Sequence, residues 1–157
     1  MGPTMSLSVE DRLAIAELAQ RYASLVDRRE LDAAAALFTP DAELVLPAPP
    51  EMLDPVRASH GTAEIRDALE GVLRSDATVH EIVGQLIEPD PLGRGRALGR
   101  VRCVAHHLLN GHDRVWHVHY EDAYLRTVVG WRIARRTLRI DLITRGDAVH
   151  RRASDQV

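Results

Sequence analysis

The residues best suited to acid–base chemistry in this sequence are its histidines, and six of the eight lie between His80 and His119. An unperturbed imidazole titrates near pH ~6.5, so a neutral histidine in an apolar pocket can accept a proton at cellular pH. A histidine of this region is therefore a candidate general base for any pocket that the region builds. A strand histidine that only satisfies a backbone contact is the structural alternative.

Metal and lysine chemistry have less support in the sequence. The pair His117 and His119 could chelate a transition metal, but no carboxylate–histidine motif of the metalloenzyme type accompanies it, and we predict no metal site. All 20 basic residues are arginine, which excludes Schiff bases and catalytic lysines. We therefore expect a reaction that needs no cofactor.

Composition indicates a single globular domain. The 157 residues match the common domain size of roughly 100–200, and 45% hydrophobic with 27% charged residues is ordinary for a folded protein. The formal net charge of −3 predicts no nucleic-acid partner, and no apolar run approaches the roughly 20 residues that cross a membrane. The single Cys103 cannot form an internal disulfide, and the opening MGPTMSLSVEDR lacks the features of a secretory signal. The expected location is the cytoplasm.

The elements that must position the histidines begin with three predicted helices. Ser8 and Asp11 form a weak capping box ahead of the first. Its buried face is predicted from helical spacing to hold Ile15, Leu18, Tyr22 and Val26. A short second helix from Leu31 is predicted to end at the turn Thr39-Pro40-Asp41. Thr62 can cap the third, whose inward residues are predicted to be Ile65, Leu69 and either Val72 or Leu73.

Strands are predicted for most of the remaining chain. An edge strand at Ala42–Leu46 precedes residues 47–60, in which four prolines predict a loop that forms a lid or a pocket wall. Four β segments follow, at Val79–Glu88, Ala97–Leu109, Val115–Thr127 and Trp131–Thr144. Asn110-Gly111 is the strongest hairpin signal between them. This order predicts an α+β domain at 9–145, with tails at 1–8 and 146–157.

Three segments together resemble the SnoaL-like branch of the nuclear-transport-factor-2-like superfamily. They are DRLAIAELAQRYASLVDRRELDAAAALFTPDAEL, TVHEIVGQLIE and YEDAYLRTVVGWRIARRTLRI, and the resemblance covers residues 9–143. It implies a cone-shaped α+β barrel, in which three N-terminal helices pack on a strongly curved, mainly antiparallel sheet around an apolar pocket. The same cone serves binding modules and unrelated reactions, so function depends on the pocket residues.

Within that superfamily the pattern is most similar to scytalone dehydratase, hexachlorocyclohexane dehydrochlorinase and bile-acid dehydratase. These enzymes share an aspartate on the first helix and a histidine on the first long strand, and Asp27 and His80 occupy those positions. The resemblance implies that Asp27 fixes the tautomer of the base His80 and stabilises its imidazolium. On its own, Asp27 would be interpreted as a solvated helix-end carboxylate beside Arg28 and Arg29.

Two more catalytic candidates are Tyr22 and His107. Tyr22 matches a tyrosine of bile-acid dehydratase and could donate a hydrogen bond to a substrate oxygen, although a core aromatic is the alternative. Strand alternation puts His107 on the arginine-poor side, where it matches the second histidine of scytalone dehydratase. A one-residue bulge would exchange it with His106, which therefore stays a candidate for substrate binding.

Substrate contacts are expected from the last two strands. Tyr120 matches a substrate-contacting position of the dehydratase. Arg135 shares parity with Trp131 and Ile133 and could bind an anionic substrate group or leaving group, with Arg136 as the alternative if the strand is out of phase. Either arginine could instead pair with a carboxylate on a neighbouring strand.

The implied function is a dehydratase-like lyase or isomerase that acts, without a cofactor, on a small organic molecule of polyketide or steroid type. A non-catalytic binding module and a SnoaL-type polyketide cyclase or hydroxylase are the alternatives. Val26 and Leu46 stand where scytalone dehydratase has activating tyrosines, so scytalone itself is not expected. The family habit of covering the outer sheet face implies a homodimer or homotrimer. That face is predicted to hold Val104, His106, His117, His119 and Arg136.

Overall fold

The computed structural model describes residues 6–148 and 150–152. The helices are α1 (Val9–Asp27), α2 (Leu31–Ala35) and α3 (Gly61–Leu69), and a short 3₁₀ helix (Glu70–Arg74) follows α3. The strands are β1 (Phe38–Ala48), β2 (Met52–His60), β3 (Ala77–Pro89), β4 (Arg96–Leu109), β5 (His112–Thr127) and β6 (Gly130–Asp147). Residues 1–5, 149 and 153–157, which belong to the predicted tails, lie outside the described residues.

Helix α1 begins and packs as its spacing predicts. The Ser8 hydroxyl accepts from the backbone N–H of Asp11 at 3.0 Å, and the Asp11 carboxylate accepts from the backbone N–H of Ser8 at 3.2 Å. This capping box satisfies two of the amide groups that a helix start leaves free. The predicted inner face is fully buried, at Ile15, Leu18, Tyr22 and Val26. Because that face packs along the sheet, the last helical residue, Asp27, comes to lie beside β3.

The sheet has the strand order β2-β1-β6-β5-β4-β3 and is open, with β2 and β3 at its edges. The β1–β6 pair is parallel, and the other four pairs are antiparallel. Register shifts interrupt every pair except β4–β5, and such bulges bend and twist strands. The strongly curved sheet wraps around the helices, which confirms the predicted α+β class.

Two predictions for residues 38–60 are wrong. Ala42–Leu46 lies inside β1, which is an interior strand between β2 and β6 and already begins at Phe38, so Thr39-Pro40-Asp41 is strand and not a turn. Residues 52–60 form strand β2, where a loop was predicted. Pro55 is tolerated there because β2 is an edge strand, in which some N–H groups have no strand to pair with.

The four predicted β segments are confirmed as β3 to β6, each a little longer than predicted. Asn110 and Gly111 form a two-residue turn with φ angles of 52° and 76°, and Leu109 pairs with His112 across it. Positive φ at both central residues is what an Asn-Gly hairpin turn requires. After α3, Val72 packs on the core while Leu73 is exposed. Across the described residues, none of the helices has the length and apolar character needed to span a membrane.

Candidate active site

A cavity of about 650 Å³ lies between α1, α3 and the concave face of the sheet. Its polar inner groups are Tyr22, His80, His107 and Tyr120. Most of the surrounding wall is apolar, and includes Val26, Leu46, Leu69, Val72, Val118 and Leu138. A volume within the common range of roughly 300–1,000 Å³, with few polar groups on an apolar wall, is typical of small-molecule sites.

Asp27 and His80 meet at the wall of this cavity, which His80 lines, although 53 positions separate them in the chain. His80 Nδ1 lies 2.6 Å from Asp27 Oδ1, and the backbone N–H of His80 donates to Asp27 Oδ2 at 2.8 Å. Only 9% of the His80 side chain is exposed. When Nδ1–H donates to the carboxylate, Nε2 of the neutral ring keeps its lone pair. The pair therefore has the geometry of a supported base.

Thr78 also supports Asp27. Its hydroxyl donates to Asp27 Oδ1 at 3.0 Å and accepts from Arg29 Nη1 at 2.7 Å. The helix dipole disfavours a carboxylate at a helix C-terminus, so these donors compensate for the position of Asp27. Thr78 was not among the predicted site residues. The sequence feature that could have identified Thr78 is a hydroxyl two residues before a candidate strand histidine, because strand alternation places both side chains on one face of the sheet.

Asp27 is ionised at neutral pH. Burial raises the pKa of its carboxyl, but hydrogen bonds from the ring and backbone of His80 and from Thr78 outweigh burial, and the pKa lies below its ordinary value. A negative Asp27 can stabilise the imidazolium that forms when His80 takes up a proton. Cys103 offers no competing nucleophile, because burial raises the pKa of its thiol to about 11.

His107 is the second histidine of the cavity, as strand alternation predicted. Its ring lies 4.1 Å from that of Trp116 and 6.0 Å from that of His80, measured between centroids. Burial, and then the charge of His80, lower the pKa of His107 to about 4. The ring is therefore neutral at neutral pH. If Nδ1–H donates to the Arg114 carbonyl, 3.3 Å away, Nε2 is left as a hydrogen-bond acceptor.

We expect His107 to make the fold less stable in mild acid. An unfolded histidine titrates near pH ~6.5 and folded His107 at about 4, so between these values the unfolded chain binds the proton first. The contribution of His107 to the free energy of unfolding then rises with pH across this window and is lower at pH ~5 than at pH ~7 by on the order of 2 kcal/mol. Urea unfolding of the wild type and of His107→Phe at the two pH values measures the difference.

His107→Phe keeps an aromatic ring against Trp116 and should lose most of this pH dependence. His60→Gln removes an imidazole whose side chain is 62% exposed, and it should retain the dependence. Equal slopes for the wild type and His107→Phe would contradict a neutral, buried His107.

The rings of Tyr22 and Tyr120 both pack against the guanidinium of Arg136. Its central carbon lies 4.5 Å from the Tyr22 ring centroid and 4.2 Å from that of Tyr120, and the two rings meet edge to face. Tyr22 is therefore both a core aromatic and a cavity residue. Burial raises the pKa of both phenols, so they stay protonated and can donate hydrogen bonds to a developing oxyanion.

The placement of Arg135 in the cavity is corrected by the structure. Arg135 is exposed, and its Nε donates to Glu43 Oε1 at 2.8 Å. Tyr124 pairs with Ile133 but Ala123 pairs with Arg135, so Ala134 is an extra residue in β6. Such a bulge inverts the alternation that follows it.

Arg136 therefore points inward, as expected if the strand is out of phase, and does not lie on the outer face predicted for self-association. Its Nε and Nη2 donate to Asp122 at 2.8 and 2.7 Å, and both side chains are 0% exposed. Tyr124 also donates to Asp122, at 2.7 Å. Gly99 permits this arrangement, because a Cβ at that position would lie 2.7 Å from the Tyr124 ring. Arg136 is neutralised and has no surface for a substrate anion.

His106 is not a cavity residue, which corrects its assignment to substrate binding. On the outer face its Nδ1 lies 2.7 Å from Asp113 Oδ2 and its Nε2 lies 3.3 Å from Glu81 Oε2. The β4–β5 register is continuous, so no bulge exchanges His106 with His107. His119 contacts Asp141 on the same outer face. Self-association through this face stays a prediction.

The SnoaL-like domain family matches residues 7–137. The fold is similar to that of a candidate scytalone dehydratase from Novosphingobium aromaticivorans, with a TM-score of 0.74 and 23% identity over 95% of this chain and 94% of that one. It is also similar to LinA, with a TM-score of 0.76 and 17% identity over 93% and 96%.

A candidate aromatic ring hydroxylase from Novosphingobium aromaticivorans has a TM-score of 0.76 and 23% identity over 90% of this chain and 96% of that one. None of the curated proteins has significant sequence similarity to the chain. At these identities the structural likenesses show the fold alone. The family match is different in kind, because it spans most of the sequence, including Asp27, His80 and His107. This chain belongs to the SnoaL-like domain family.

Proposed function

We propose that this protein is a dehydratase-like lyase or isomerase, in which His80 removes a proton from a carbon next to a carbonyl or similar activating group. The observation that carries the proposal is the 2.6 Å contact between His80 Nδ1 and Asp27 Oδ1 at the wall of an open cavity. Ligand binding alone requires the cavity but does not require an imidazole that is hydrogen-bonded to an ionised carboxylate. That difference favours catalysis over binding alone.

The proposed reaction is the loss of water from a hydroxy-carbonyl compound. His80 Nε2 takes the proton from the carbon, and the electron pair of that C–H bond forms an enolate. The imidazolium is stabilised by Asp27 through Nδ1–H. The enolate then expels the neighbouring hydroxyl, which takes the proton from Nε2 and leaves as water, so that a C=C bond remains and His80 is neutral again.

The other polar groups of the cavity stabilise the enolate and orient the substrate hydroxyl. Tyr22 or Tyr120 donates a hydrogen bond to the enolate oxygen, where negative charge develops. His107, which is neutral, accepts a hydrogen bond from the substrate hydroxyl through Nε2 and orients it. Val26 and Leu46 line the wall, so no phenol projects from either position.

The test is a panel of hydroxy-ketones and polyketide-like compounds, assayed with the wild type and Asp27→Asn. Absorbance of the conjugated product reports elimination, and deuterium uptake from heavy water reports proton abstraction. Because asparagine cannot stabilise an imidazolium as a carboxylate does, we expect Asp27→Asn to lower turnover at least about tenfold. Asp32→Asn, at a carboxylate whose side chain is 89% exposed, should be unaffected.

Equal rates for the wild type and Asp27→Asn would exclude the proposed role of the pair. If compounds bind to the wild type but none exchanges a proton or loses water, the protein is better described as a binding module.

A further inference from the structure

The mouth of the cavity carries a concentration of positive charge. Arg57 on β2, Arg74 on the 3₁₀ helix, Arg114 on β5 and Arg145 on β6 line it and are exposed. The only other formally charged side chain among the described lining residues is Glu51. Four arginines and one glutamate give the lining a formal charge of three positive units, whereas the whole chain has a net charge of −3.

These four arginines have no ion-pair partner among the described residues. Eight other arginines of the chain pair with carboxylates within 4 Å. Acidic residues are available nearby, since Asp147 contacts His112, but it does not pair with Arg145. The guanidinium groups at the mouth are therefore free to bind an anion from solution.

Arg114 and Arg145 are also direct cross-strand partners on β5 and β6. Both line the cavity, so their side chains lie on the same face of the sheet. Like charges directly opposite each other destabilise a sheet. Like-charge pairs are among the arrangements found at functional sites, and a ligand of opposite charge would offset this one.

We infer that the substrate carries an oxyanion group, such as a carboxylate or phosphate, which binds between Arg114 and Arg145 at the cavity mouth. The planar guanidinium matches such groups with two parallel hydrogen bonds. The apolar body of the substrate then fills the inner cavity as far as His80, a step that rests on the proposed function. The substrate class is an amphiphilic anion, with the reacting carbon on the apolar part.

Two dyes of nearly the same shape test this inference without any assay of turnover. Anilinonaphthalene sulfonate carries an oxyanion, and phenylnaphthylamine is its uncharged counterpart. We expect the wild type to bind the sulfonate at least about tenfold more tightly, since hydrogen bonds between charged groups are the strong ones. Energy transfer from Trp116, which lines the cavity, reports binding at this site and should be weaker in Trp116→Phe, in which Trp131 is the remaining donor.

The double variant Arg114→Gln, Arg145→Gln should lose this preference and keep its affinity for the uncharged dye. It should also unfold at a slightly higher temperature than the wild type, because the like-charge pair is gone, so a folding defect is not expected. The control is Arg100→Gln, Arg102→Gln, which removes the same charge from exposed arginines of β4 that do not line the cavity. It should retain the preference.

Equal affinity of the wild type for the two dyes, or an equal loss in the control variant, would overturn the inference. The outcome is independent of the reaction, because His80→Ala should retain the dye preference whether or not His80 is a catalytic base. A protein that prefers the sulfonate but shows no dependence of turnover on Asp27 would refute the proposed function alone.

Discussion

Replacing His80 by alanine is expected to reduce turnover at least about a hundredfold, because positioned acid–base catalysis contributes roughly 10²–10⁴-fold. The proposed mechanism uses Nε2 of His80 twice, first to take the proton from carbon and then to deliver it to the departing hydroxyl. The measurement is the kcat of a substrate identified with the compound panel. Binding of the uncharged dye to the variant should match that of the wild type, which shows that the cavity is intact.

The fold of this variant should survive, because Asp27 keeps other donors. The backbone N–H of residue 80 and the hydroxyl of Thr78 still reach the carboxylate, so it is not left buried without a partner. His60→Ala is the matched control, since the His60 side chain is 62% exposed and does not line the cavity. A near-normal rate in His80→Ala, or an equal loss in the control, would contradict the assignment of His80 as the base.

The meeting of Asp27 and His80 shows what sequence could and could not predict. Helical spacing correctly predicted the buried face of α1, and strand alternation correctly predicted that His107 faces the cavity. Both predictions are possible because the two periods are local properties of the backbone. The contact across 53 positions came only from the family resemblance. Nothing local to Asp27 distinguishes it from a solvated carboxylate, and its support from Thr78 exists only after the strand is docked on the helix.

Arg135 and Arg136 show where local parity fails. The one-residue bulge at Ala134 leaves no clear sequence signal, yet it reverses the facing of every residue after it until the next irregularity. The cost of burying a charge could have distinguished the two arginines. Asp122 shares strand parity with Tyr120, which was predicted to contact the substrate, and a buried carboxylate requires a cation or other donors. That requirement favours Arg136 over Arg135.

Strand β2 was not predicted, because its prolines are a strong sequence signal for a loop, whereas its position in the sheet permits a strand. Four prolines in residues 47–60 are typical of a loop. Proline is excluded from strands whose backbone N–H groups must donate hydrogen bonds to neighbouring strands on both sides. β2 is an edge strand and pairs only with β1. The edge position of β2 depends on the topology of the whole sheet and cannot be deduced from its own residues.

The same buried Asp122 leads to the largest expected effect on stability. We expect Asp122→Ala to lower the free energy of unfolding by about 3–5 kcal/mol, because it leaves the guanidinium of Arg136 fully buried without a counter-ion. That loss is a large part of the roughly 5–15 kcal/mol that stabilises a typical domain. Urea unfolding of the wild type and the variant at neutral pH measures the change.

A double-mutant cycle separates the ion pair from the packing around it. Arg136→Met alone leaves Asp122 with Tyr124 as its remaining side-chain donor, and the double variant leaves no buried charge, so it should be less destabilised than the two single changes summed. Asp54→Ala, which breaks the exposed pair with Arg139, should cost less than about 1 kcal/mol. If Asp122→Ala cost no more than Asp54→Ala, Arg136 would have to reach solvent, and Tyr22 and Tyr120 could not be held by a fixed cation beneath the cavity.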